Sequence, residues 1–89
     1  MTNAESEHLL RIKNMPCGVC NTPGPSDAHH ILDCGRRISH FATIPLCLFC
    51  HRDSKNGIHG QKNMWKMMRK TELSVLAETI EKLEEGVIK

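Results

Sequence analysis

Residues 15–51 read MPCGVCNTPGPSDAHHILDCGRRISHFATIPLCLFCH. The stretch is bracketed by Cys17-Gly-Val-Cys20 and Cys47-Leu-Phe-Cys50. Two residues between cysteines let both thiolates of such a knuckle reach one tetrahedral ion, so the pair of knuckles predicts a structural Zn²⁺ on Cys17, Cys20, Cys47 and Cys50. The competing reading, a redox dithiol, needs one Cys-x-x-Cys beside a βαβ pattern, which this chain lacks. Residues 21 to 46 separate the knuckles, a longer insert than a compact zinc ribbon needs, so the insert is expected to carry something of its own. Cys34 is left over and reads as a small thiol without a role.

Outward from this frame, length and composition make a staple necessary. The chain has 89 residues, with Phe41, Phe49 and Trp65 its only aromatics. A core so thin usually needs a disulfide or a metal. The opening MTNAESEHLLRIKN is polar and has no apolar signal region, and no apolar run approaches membrane-spanning length. A cytoplasmic protein with no membrane partner is the expectation, and there paired cysteines read as ligands. Net charge is +2. From Arg36 to Lys70, however, eight basic residues face Asp53 alone, a local charge of +7, while residues 71–89 carry −3. A basic centre suggests a polyanionic partner.

The expected elements are short. Residues 1–14 read as a polar N-terminal arm, helical or disordered, ahead of a domain spanning 15–89. Residues 15–26 should form a turn-rich loop. AHHIL (28–32) and TIPLC (43–47) are strand candidates, with Pro45 marking the second as an edge or irregular strand. CGRRISHFA (34–42) reads as a connecting loop. LFCHRDSKN (48–56) should be a short helix stopped by Gly57, and Gly60 should open a helical QKNMWKMMRK (61–70). The final helix, about 71–85, has Thr71 as N-cap and Glu72 in its first turn. Its apolar face is expected to be Leu73, Leu76, Ala77, Ile80 and Leu83, with Gly86 as the stop. Its remaining glutamates should be solvated. Met64, Met67 and Met68 with Trp65 read as core filler.

The insert and its flanks hold the histidines: His29-His30, His40, His51 directly after Cys50, and His59 in Gly-Ile-His-Gly. Taken together, CxxC…AHHI…PLCxxCH…GIHG over residues 17–70 is similar to the HNH endonuclease superfamily. HHIL, GRRISHF, TIPLC and GIHG resemble the phage recombination-enhancement (Ref-like) nucleases, HNH proteins that cut DNA with help from a recombinase filament. The resemblance implies a small α+β fold, a zinc-stabilised ββα-metal (HNH, His-Me finger) domain with C-terminal helices. It also implies a divalent-metal-dependent DNA endonuclease from phage or prophage, acting in a bacterial cytoplasm without a nucleotide cofactor.

Phosphodiester hydrolysis needs a water, a base to take its proton, and a cation to offset charge on phosphate and leaving oxygen. By resemblance, His29 is a ligand of the catalytic cation (Mg²⁺, Mn²⁺, Ni²⁺ or Zn²⁺) and His30 the general base. Neighbours on a strand point to opposite faces, which suits different roles. His51 matches the helix-borne ligand. Lys55 occupies the position one turn on and cannot ligate while protonated, so His59 is the further candidate. Where the family has its central Asn, this chain has Ala42. Among the polar neighbours His40 and Thr43, His40 is preferred to orient His30 or the phosphate. Arg36, Arg37, Lys62, Lys66 and Arg69 are the expected phosphate contacts. A zinc module that binds DNA or a protein without cutting is the alternative, favoured by Ala42 and opposed by the His29-His30 pair.

Overall fold

The computed structural model describes residues 1–85, so Gly86 lies outside the described residues. The architecture is α+β, with helix α1 (Asn3–Lys13), strands β1 (Asp27–His30), β2 (Leu32–Asp33), β3 (Arg36–Arg37) and β4 (Thr43–Leu46), and helices α2 (Leu48–Arg52), α3 (Asn63–Met67) and α4 (Glu72–Glu84). Among the described residues no helix is long and apolar enough to cross a membrane.

The strands form two nested antiparallel pairs. In the outer pair, β1 lies against β4 with Asp27, Ala28, His29 and His30 opposite Leu46, Pro45, Ile44 and Thr43. The Ile31 N–H donates to the Ala42 carbonyl at 2.9 Å and extends this ladder. The inner pair, β2 with β3, falls partly in the segment expected to be a plain loop. Its turn is Cys34-Gly35, with φ of 51° and 78°. Two successive left-handed residues match the twist of a tight hairpin, and glycine takes the second at no steric cost.

β4 is the centre of the core. Thr43, Ile44, Pro45 and Leu46 are all buried, with α1, α2 and α4 packed around the strand. Pro45 has no N–H to offer a ladder. Its carbonyl instead accepts the Gly18 N–H at 2.9 Å, which ties the first knuckle to the strand. Ile44, Leu46, Cys17, Val19, Ile31, Cys50, Trp65 and Val75 make up one cluster.

Several sequence expectations change. The first fourteen residues take the helical of the two forms expected, but not as a detached arm: α1 is capped by a reciprocal Thr2–Glu5 box, packs on β1 and β4, and fully buries Ile12. α2 ends at Arg52, four residues early, because Asp53 turns extended and its carboxylate accepts the Lys55 and Asn56 N–H groups. That local turn competes with the helix. α3 is likewise shorter than expected. Gly57 and Gly60 close a knot of turns rather than stop and start helices. A Cβ on Gly57 would meet the Asp53 backbone at 2.8 Å.

α4 is capped by Thr71 as expected, but its buried face is Val75 and Thr79, flanked by the half-buried Leu76 and Leu83. Leu73, Ala77 and Ile80 are exposed, as are Met67 and Met68. Thr79 can be buried because its hydroxyl donates to the Val75 carbonyl at 2.7 Å. Trp65 packs into the core as expected, and its indole N–H donates to the Cys50 carbonyl at 2.9 Å. Trp65→Ala should therefore cost about 3–5 kcal/mol. Leu73→Ala should stay within about 0.5 kcal/mol of wild type. Chemical denaturation measures both, and a large loss at Leu73 would contradict the observed helix face.

Candidate metal centres

Two groups of side chains among the described residues converge tightly enough to hold an ion, Cys17–Cys20–Cys47–Cys50 and His29–His51–His59, with the candidate ligand atoms of each group within 4.8 Å of one another.

The cysteine group is assembled by β4. The first knuckle hangs on the Pro45 carbonyl, and its turn is closed by Cys17 N–H to Thr22 O at 2.8 Å and Asn21 N–H to Cys17 O at 2.9 Å. The second knuckle starts where β4 ends. Cys47 is the N-cap of α2, and its sulfur accepts the Cys50 N–H at 3.5 Å. Val19 N–H donates to the Cys17 sulfur at the same distance. Cys20 and Cys47 Sγ lie 3.6 Å apart. Zinc–sulfur bonds of about 2.3 Å at tetrahedral angles would set sulfurs about 3.8 Å apart. The spacing and the donor chemistry are compatible with structural zinc.

The thiols share protons unevenly. Burial raises Cys47 and Cys50. Burial also acts to raise Cys20, but hydrogen bonds from Thr22 and the neighbouring cysteines outweigh it and bring the group down to about 7. Four thiolates cannot gather in a poorly solvated place without a cation.

The histidine group draws on three elements. His29 comes from β1 and His51 from α2, both buried. His59 comes from the turn after α2, which lies back on the helix through Ile58 N–H to Cys50 O at 2.9 Å and His59 N–H to His51 O at 3.3 Å. Lys55, being beyond the end of α2, is exposed and takes no part. His29 Nδ1 and His51 Nε2 face each other at 3.3 Å. The other nitrogen of each ring meets a carboxylate: His51 Nδ1 lies 2.9 Å from Asp27 Oδ2, and His29 Nε2 lies 3.4 Å from Glu72 Oε1. A carboxylate only accepts, so it holds the proton on the nitrogen facing it. With both rings neutral, two lone pairs would then point at each other, an arrangement that a cation relieves. Imidazole nitrogens bound at about 2.0–2.1 Å in tetrahedral geometry sit about 3.3–3.4 Å apart. Burial lowers the His29 pKa below the ordinary histidine value, with Glu72 opposing.

His30, the next residue on β1, takes a different partner, its Nε2 lying 3.0 Å from His40 Nδ1. Burial, then Arg37, His40 and His29, lower its pKa. A cleft of about 360 Å³ runs over the site, lined by His29, His30, His51, His59, Arg37 and Arg52 among others. Arg36 is exposed on the same short strand as Arg37. Lys62, Lys66 and Arg69 are exposed around α3, outside the cleft lining. Cys34 is exposed at the hairpin turn.

Three residues were not singled out as site residues from sequence. Asp27 carried a usable signal, since period-two spacing puts it on the His29 face of β1. Arg52, which follows His51, lies 3.7 Å from Asp27. Glu72 carried none, being 43 positions from its partner. No known protein family, curated protein or solved structure matches the chain.

If the cysteine group holds the fold, chelation of its zinc should abolish the cooperative thermal transition, and Cys47→Ser should lose most of the tightly held metal. Elemental analysis with circular dichroism checks both. Undiminished zinc in the variant would reject the assignment.

Proposed function

We propose that this protein is a divalent-metal-dependent DNA endonuclease of the HNH type, with structural Zn²⁺ on its four cysteines. The β1–β4 hairpin followed by α2 supports a ββα-metal reading of the α+β fold. The observation that carries the functional reading is that the two successive histidines of β1 take different partners. His29 turns its Nδ1 toward His51 Nε2, with His59 beside them. His30, the next residue, turns toward His40 and a cleft lined with arginines.

When bound at His29, His51 and His59, a divalent cation supplies electrostatic stabilisation of charge developing on the phosphate and the leaving oxygen. Three imidazoles and no directly placed carboxylate suit Zn²⁺ or Ni²⁺ better than Mg²⁺. His30 does the proton chemistry. With its Nε2–H donated to His40 Nδ1, its Nδ1 is free to take a proton from water. Burial and Arg37 favour the neutral ring this step needs. His40 thus holds the orienting place that the family's Asn would serve, and the Ala42 backbone is used in the sheet. Arg37 and Arg52 offer guanidinium groups to the phosphate, and the exposed basic residues of the +7 segment contact flanking phosphates. Duplex DNA is the proposed substrate. A recombination setting and a recombinase filament as partner follow from the resemblance alone.

His30→Ala should lower metal-dependent plasmid nicking about 10²–10⁴-fold while leaving structural zinc and DNA binding intact. Equal rates for variant and wild type, or no cutting by wild type on plain or recombinase-coated DNA, would leave the non-cutting zinc module as the better reading. DNA affinity itself should fall steeply between low and moderate salt. Filter-binding or anisotropy titrations measure this, and a flat response would mean that the basic segment is only a solvated surface.

A further inference from the structure

The last helix reads from sequence as a cover for a thin core. Its first turn does something else as well. Glu72, the first residue of α4, reaches across to β1 and places Oε1 3.4 Å from His29 Nε2. His29 is 9% exposed and Glu72 about a third exposed, so one end of this contact is shielded from water. The reach is held from several sides. Thr71 caps the helix through the Ser74 N–H at 3.1 Å, and Ser74 returns a bond to the Thr71 N–H at 2.9 Å. Just before the cap, Lys70 Nζ donates to the Gly18 carbonyl of the first knuckle at 3.1 Å. Val75, one turn after Glu72, is fully buried, and a Cβ on Gly18 would run into its side chain. The start of α4 is therefore pinned to the cysteine knuckle on one side while Glu72 extends to the histidine group on the other.

We infer that Glu72 is a positioning residue of the histidine metal centre, fixing the His29 tautomer and ring so that Nδ1 faces the ion, and that α4 completes that centre. This rests on the metal-binding reading of His29, His51 and His59. A buried imidazole with no partner for its second nitrogen could carry its proton on either side, and only one choice leaves Nδ1 free. Asp27 does the same for His51 from within β1. The third ring, His59, is exposed and belongs to a turn, so the order of the site depends on the two carboxylate-held rings. A carboxylate behind a ligating histidine typically contributes about 10–100-fold in metal affinity.

The test uses the full chain, already loaded with its structural zinc, titrated with Zn²⁺ and Ni²⁺ by calorimetry. Wild type, Glu72→Ala, Glu72→Gln, His29→Ala and Glu78→Ala are compared, with thermal melts to confirm folding. Glu78 is on the same helix but bonds Lys70 instead. The expected result is that Glu72→Ala binds the second ion about 10–100-fold more weakly. Glu72→Gln, whose amide oxygen can still accept the Nε2–H, should recover most of that loss. Glu78→Ala should bind as wild type. If His29→Ala loses the second ion while Glu72→Ala keeps wild-type affinity, or if Glu72→Gln is as poor as Glu72→Ala, the positioning role is overturned and the metal centre stands. If wild type takes up no second ion, both fall.

Discussion

Four cysteine sulfurs held together across one buried strand are the constraint on which the rest of the molecule depends. β4 carries the first knuckle on the Pro45 carbonyl and runs directly into the second at Cys47. Cys47 in turn starts α2, so the direction of that helix is set by the sulfur cluster. His51 follows Cys50 at once, and the turn bearing His59 is bonded back onto the Cys50 and His51 carbonyls. Position and orientation thus pass from sulfur to imidazole through a few residues of backbone. For a chain with so little apolar bulk, a closed four-thiolate site offers the rigidity that core burial alone would not.

The two centres differ in the way expected of a structural and a working site. Structural zinc sites are closed by four protein ligands, whereas a reactive site keeps a position free. Cys17 and Cys50 are fully buried in the core cluster. The three imidazoles instead face an arginine-lined cleft, and the ring of His59 is exposed. Three nitrogens on a tetrahedral ion would leave a coordination position for a fourth group, and His30 lines the same cleft, its Nε2 near His40. These features make phosphodiester cutting a better proposal than a purely architectural zinc module.

Much of this was legible in the sequence where partners lie close along the chain or in a repeating frame. The knuckles, the strands around His29 and Ile44, and the Thr71 cap were all readable because each rests on local spacing. The His29, His51 and His59 grouping was expected from the likeness of their frame to the HNH pattern, and only His51 sits directly beside a knuckle cysteine. What could not be read depends on tertiary choice. α4 has two overlapping stripes at helical spacing, and the fold buries the one with Val75 and Thr79, since the Thr79 hydroxyl finds a carbonyl within its own helix. α2 ends at Arg52 because the Asp53 carboxylate captures the next amides. Glu72 had no sequence signal at all, since its partner is fixed only once α4 docks.

In the function proposed above, the imidazole centre, and not the sulfur centre, supports DNA cutting. The most direct measurement starts from protein holding one zinc per chain, on its cysteines, and follows plasmid nicking as Ni²⁺ or Zn²⁺ is added in steps. The expected result is no cutting at the start, a rise as a second ion is taken up, and a plateau when that second site is full. Full activity with the cysteine-bound zinc alone, or none at any occupancy, would contradict it.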